Sequence, residues 1–201
     1  MISTIAHPPT TRERATVAPP ALDLRAVSKW FCRGESKAVV LDKVDLAVSP
    51  AECVFLLGPS GSGKTTLLSI IGCVLTADEG SVKVLQHDVN RLDQRSAALL
   101  RRDHIGFVFQ KFHLIRGLTA AENVATPLTL RGVAPAESRR RAVAMLEEVG
   151  LADFADSRPS RMSVGQCQRV ALARALVGDP ALVLADEPTA SLDEQSGQQA
   201  M

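Results

Sequence analysis

Three observations predict an α/β chain with a parallel central sheet, an antiparallel β edge sheet and an inserted helical subdomain. Three unbroken apolar runs, Cys53 to Leu57, Ile105 to Phe109 and Ala181 to Ala185, have the composition of strands covered on both faces by helices. Leu22 to Phe31 and Val39 to Val48 instead alternate apolar with polar residues, as antiparallel strands with one wet face do. Between Gln110 and Ser163 strand patterning stops and helical spacing takes over. At 201 residues the chain can bury one full core.

In chain order, the leader MISTIAHPPTTRERATVAPP, residues 1–20, is rich in Pro, Thr and charge and reads as disordered, with the ordered domain spanning 21–201. The leader lacks the apolar core of a signal peptide, and no stretch approaches the ~18 apolar residues of a membrane helix, so a cytosolic product is expected. CRGESK, Cys32 to Lys37, reads as the turn joining the two alternating strands. Helical patterning covers Lys64 to Cys73, Asp93 to Arg102, Thr119 to Leu130, Pro135 to Val149 and Ser163 to Val177, with the helical insert at about 111–162.

A formal net charge of +1 argues against a nucleic-acid groove as the main surface. The densest basic run, Arg139, Arg140 and Arg141, shares its helix with Glu137, Glu147 and Glu148 and reads as a solvated face. Cys32, Cys53, Cys73 and Cys167 form no C-x-x-C pair. Reduced, mostly buried thiols are therefore expected, with neither a zinc site nor a disulfide framework.

The chemistry begins after the first apolar run, where Gly58, Pro59, Ser60, Gly61, Ser62, Gly63, Lys64, Thr65 and Thr66 follow one another. Glycines let main-chain N–H groups converge on an anion, and the helix that starts here adds the positive end of its dipole. Lys64 is placed to reach the outer phosphates of a nucleotide and the Thr65 hydroxyl to ligate magnesium. Strand, phosphate loop and helix together predict a P-loop NTPase core.

ALVLADE ends the third apolar run on Asp186, suited to holding magnesium through water, and Glu187, suited to polarising an attacking water. Alone, such a pair also reads as a turn or a helix cap. Gln110 closes the strand pattern IGFVF, 46 residues after Lys64, and could touch both magnesium and a water or simply end the strand. Ser163 and Gln166 have capping-box spacing, so RMSVGQCQRVALARALVGDP reads first as a well-capped amphipathic helix.

In this order the phosphate loop, Gln110, the SVGQ-x-QRVALARAL block, LADEP and ASLD resemble the ATPase subunits of ABC transporters. Within that family GPSGSGKTTLLSIIGC, IGFVFQKFHLI, TAAENVATPL and LADEPTASLD are most similar to the branch serving lipoprotein release, macrolide-type export and cell division. The resemblance implies ATP and Mg2+ as ligands. It also implies a head-to-tail pair of subunits, in which Ser163, Gly165 and Gln166 address the γ-phosphate in trans. A separate integral membrane permease would be the other partner, placing the chain on the cytoplasmic side of the membrane, with no nucleic acid expected.

By the same resemblance Phe31 stacks on adenine, whereas alone it reads as an anchor closing the first strand. Ser191, Leu192 and Asp193 resemble a loop that crosses to the other subunit, or read alone as a cap. Lys111 to Pro127 resembles the surface that receives a permease's coupling helices, and ordinary packing would explain the same leucines.

Two departures stand out. The signature reads Met162, Ser163, Val164, Gly165, Gln166 where the family has LSGGQ, so a β-branched residue replaces a glycine. Valine fits there only with near-helical or extended backbone and its side chain turned from the phosphate. No histidine follows Glu187, so the family's switch histidine is expected to be missing with a carboxyl-terminal part of the fold. Both departures motivate an alternative: a module that binds ATP but hydrolyses it poorly.

Overall fold

The computed structural model describes residues 3–4, 18–34 and 36–187. Most of the leader, together with Ser191, Leu192 and Asp193, lies outside the described residues. The chain divides into two compact units, Met1–Ala98 and Leu99–Met201.

In the first unit, β1 (Ser3–Thr4) pairs antiparallel with β4 (Leu56–Leu57), while β2 (Leu22–Arg33), β3 (Ser36–Val48), β5 (Glu79–Val84) and β6 (His87–Asp88) form an antiparallel sheet in the order β3-β2-β5-β6. The expected hairpin is present, with Leu22 opposite Val48 and Arg33 opposite Ser36. Leu22, Leu24, Leu41, Leu46 and Val48 supply the buried face and their polar neighbours the wet one. A bulge near Ala26, at φ 48°, shifts the phase of β2, so Val27 and Ser28 are both buried. Gly80, at φ 87°, faces this bulge; a Cβ there would lie 2.4 Å from the Ala26 carbonyl oxygen. The sequence reading omitted β5, whose inward signal is only Val82 and Val84. Helix α1 (Lys64–Ile71) buries Leu67, Leu68, Ile70 and Ile71.

Helix α2 (Gln94–His104) crosses from one unit to the next and begins where Asp93 accepts the Ser96 amide. In the second unit β7 (Ile105–Val108) pairs in parallel with β8 (Leu182–Ala185), Val108 opposite Ala185. Helices α3 (Ala120–Leu130), α4 (Pro135–Glu148) and α5 (Val164–Leu176) form the helical block, centred on Val124, Leu128, Ala142, Leu146, Leu151 and Val170. Their apolar residues recur at helical spacing, so three stripes close on one another. Thr119 caps α3 by a reciprocal box with Glu122.

Two expectations are corrected. Two of the three apolar runs are not covered on both faces, since Phe55 is 69% and Val183 42% exposed, whereas Ile105 to Phe109 is buried or half-buried throughout; only β7 and β8 form a parallel pair among the described residues. An apolar run shows that a strand tolerates burial, and the neighbours that bury it are a separate matter. The cysteines are free, yet only Cys73 is buried, while Cys32 and Cys53 are exposed and Cys167 is intermediate. Cys32 sits beyond the buried stretch of β2, where the hairpin runs out into solvent. The basic run on α4 is largely tied down, with Arg139 on Asp156, Arg140 on Glu137 and Arg141 on the Val177 carbonyl.

Candidate nucleotide-binding site

Residues 58–63 form the loop between β4 and α1. Gly61 and Gly63 take left-handed conformations at φ 78° and 94°, while Gly58 does not. Gly63 is also required by space, because a Cβ would meet the Val40 carbonyl oxygen and the Leu41 side chain at 2.8 Å. Gly63 is the N-cap of α1 and provides no side-chain cap, and no acid lies in the first turn. The positive end of the helix therefore faces the loop without a neutralising carboxylate from its own turn.

The Lys64 ammonium donates to the carbonyl oxygens of Gly58 at 2.8 Å and Pro59 at 3.1 Å, which lays the side chain across the loop. The Ser62 amide closes the turn on Pro59, but its hydroxyl is buried without a hydrogen-bond partner. A buried orphan hydroxyl inside a glycine turn is costly unless an acceptor arrives, which is the condition a phosphate would meet. Ser60 and Thr65 are exposed, Thr66 is partly buried, and the Thr65 carbonyl accepts the Ser69 hydroxyl.

The edge aromatics lie on β2. Phe31 is 42% exposed, with the Lys29 ammonium 5.6 Å from its ring centre, so it is not a buried strand anchor. Trp30 beside it stacks under the Lys37 ammonium at 3.3 Å. Asp78 fixes this end of the strand by accepting the Trp30 amide and pairing with Lys29. Burial pushes the Asp78 carboxyl up, but those two bonds and the nearby lysines outweigh it and hold the group below its ordinary value.

In the second unit the parallel register brings the carboxyl ends of β7 and β8 to one edge, where ligands of open α/β sheets bind. Gln110 follows one strand, and Asp186 and Glu187 follow the other. The Asp186 amide donates to the Val108 carbonyl and its side chain is buried. Glu187 is exposed at φ 46°, a strained conformation for a non-glycine residue, and accepts a 2.9 Å hydrogen bond from Gln110 Nε2. Gln110, Asp186 and Glu187 are thus brought together as a group.

The signature residues open α5. Ser163 is its N-cap in extended conformation; its hydroxyl accepts the Gln166 amide at 3.2 Å, and the Gln166 side chain accepts the Ser163 amide at 2.8 Å. Val164 is the first helical residue and is 39% exposed. That position needs only right-handed helical angles, so the backbone condition on valine is met. Gly165 faces open space.

The sequence reading passed over Asn123, which is fully buried. Its side-chain amide accepts from Ile115 and donates to the carbonyls of Ile115, Leu118 and Thr119, pinning the loop before α3. An isolated asparagine in an amphipathic helix gives no signal of such a role. Within Lys111 to Pro127, Leu114 packs on the helical core while Ile115 is exposed, so the packing explanation covers only part of that segment.

A glycine turn feeding an uncapped helix, with an acid pair at a parallel strand end, defines a P-loop nucleotide-binding protein. The chain belongs to the ABC transporter family, whose model matches residues 41–190. It is 45% identical over 181 residues to a macrolide export ATP-binding/permease protein MacB of Burkholderia thailandensis, covering 90% of this chain and 28% of that protein. It is 44% identical to a probable syringafactin export ATP-binding/permease protein of Pseudomonas syringae, covering 90% and 27%. The chain therefore spans under a third of the length of these curated relatives. Among solved structures it resembles the ATP-binding cassette MJ0796 in a dimeric post-hydrolysis state bound to ADP and Pi, with 41% identity, a TM-score of 0.79 and coverage of 89% and 78%. No helix among the described residues is long and apolar enough to cross a membrane.

Proposed function

We propose that this chain binds and hydrolyses ATP to power a membrane permease, in an export or lipoprotein-release type of system. The observation that carries the reading is the phosphate loop: Lys64 across the turn, Ser62 hydroxyl buried without an acceptor, and an uncapped helix start behind them. The relatives named for export and the cassette bound to ADP and Pi support it.

In this reading Gly58 to Thr66 hold the triphosphate through main-chain amides and Lys64, and Phe31 stacks on adenine. Glu187 polarises the attacking water, and Gln110 holds that carboxylate in place. The donors assigned to magnesium are the Thr65 hydroxyl, the Gln110 amide oxygen and, through water, Asp186. This all-oxygen set with one carboxylate suits a hard cation bound mainly to nucleotide phosphates. Magnesium, when bound, neutralises charge developing on the transferred phosphoryl group. Ser163, Gly165 and Gln166 address the γ-phosphate of a second copy. Val164 at an exposed helical position weighs against the poorly hydrolysing alternative.

Steady-state ATP turnover of the wild type beside Glu187→Gln tests the reading. It predicts a large deficit in the variant, and equal rates would refute it.

A further inference from the structure

Arg174 lies in the last turn of α5, nine residues and about 13 Å along the helix from Gly165. Its guanidinium reaches out of the helical block to two successive main-chain carbonyls, Phe112 at 2.6 Å and His113 at 2.8 Å. A planar fork suits paired oxygens of this kind, and a lysine ammonium does not reproduce it. Burial pushes this guanidinium below its ordinary pKa, so the two carbonyl dipoles compensate a desolvated cation.

What it grips is unusual backbone. Phe112 and His113 are consecutive non-glycine residues in the left-handed region, at φ 56° and 47°, two and three positions after Gln110. The Phe112 amide closes the turn on the Phe109 carbonyl, and the rings of Phe109 and His113 lie 4.8 Å apart. Strained turns of this sort persist when their surroundings hold them, and they concentrate at functional sites. Gln110 enters this turn directly and donates to Glu187. One helix thus carries Ser163, Gly165 and Gln166 at its start and, at its end, the clamp on the turn that aims Gln110.

We propose that Arg174 is a positioning residue for ATP hydrolysis, which ties the Ser163–Gln166 helix to the Gln110 turn so that phosphate engagement and the setting of Gln110 on Glu187 move together. This rests on the reading of Glu187 given above. A rigid helix held at its far end by this clamp moves as one body, so a displacement at its start reaches the Gln110 turn. A guanidinium that only filled space would affect folding and leave the magnesium response of the chemistry unchanged.

The test compares wild type, Arg174→Lys and Arg174→Met in the full chain for ATP affinity, turnover and magnesium dependence. ATP affinity, which reads the 58–66 loop, is expected within about twofold of wild type, while turnover falls about tenfold in both variants. The magnesium concentration for half-maximal turnover is expected to rise about fivefold as Gln110 loses its aim. Wild-type turnover and magnesium response in Arg174→Lys would overturn the proposal, as would slower turnover with an unchanged magnesium response. Hydrogen exchange of the wild type covers the case in which neither variant folds. On addition of a nonhydrolysable ATP analogue, the amides of 111–114 and of 163–167 should change protection together, and a change confined to one set would overturn the proposal. If wild type turns over no faster than Glu187→Gln, the ATPase reading itself fails and this proposal falls with it.

Discussion

Gln110 donates a 2.9 Å hydrogen bond to the Glu187 carboxylate across 77 residues of sequence, joining the ends of two parallel strands. The amide meets a carboxylate whose own backbone is held at φ 46°. Gln110→Ala is expected to lower ATP turnover about tenfold to a hundredfold, and Glu187→Gln about a hundredfold to a thousandfold, since a positioned base contributes on this scale. Equilibrium ATP binding should change little in either variant. Rapid turnover in Gln110→Ala would show that Gln110 does not set the Glu187 carboxylate.

Removing the reciprocal cap at α5 has a separable cost. Ser163→Ala deletes the acceptor for the Gln166 amide and should lower stability by about 1 kcal/mol, or a thermal midpoint shift of roughly 2–4 °C. Ser163→Thr keeps the acceptor and should keep the midpoint. Calorimetry of the three proteins checks this, and an unchanged midpoint in Ser163→Ala would mean the box contributes nothing.

Val164 gives a sharper contrast. Because it is exposed at the first helical position, Val164→Gly should cost no more than about 1 kcal/mol of stability. Turnover should stay within about twofold of wild type, because valine at this position needs only helical backbone angles. A rise of about fivefold or more would show that valine weakens engagement with the other subunit's nucleotide and would favour the poorly hydrolysing alternative.

Asp78 predicts a pH dependence. Its carboxyl titrates below its ordinary 3.8, so the stability it lends is present above that value and is lost as pH falls through the lower folded value. Protonation would loosen the Trp30 amide and Lys29, next to Phe31. Asp78→Asn should therefore reduce the difference in stability between pH 6 and pH 3, measured by denaturant titration. An undiminished difference would place the acid sensitivity elsewhere.

Much of this was legible in the sequence because the signals are local. The five α-helices among the described residues fall within a few residues of the helical patterning, since amphipathic spacing and caps such as Ser163 and Gln166 are local signals. The hairpin of β2 and β3 was equally clear from alternation. Strand β5 was not, because Gly80 and Ser81 interrupt the pattern and leave two inward valines. The burial of Phe55 and Val183 was overestimated, because an apolar run does not name its covering partner. Arg174 was visible only as one more arginine; its role depends on the conformation of Phe112 and His113, and no composition signals left-handed phenylalanine and histidine.

The central claim is that main-chain amides around Gly61 and Gly63, with the Lys64 ammonium, grip a triphosphate. Titrating ATP into wild type and Lys64→Ala measures this most directly. A loss of affinity of about a hundredfold or more, roughly 3 kcal/mol, is predicted in the variant, because a charge-assisted contact to phosphate disappears. Equal affinity in the two proteins would contradict the account.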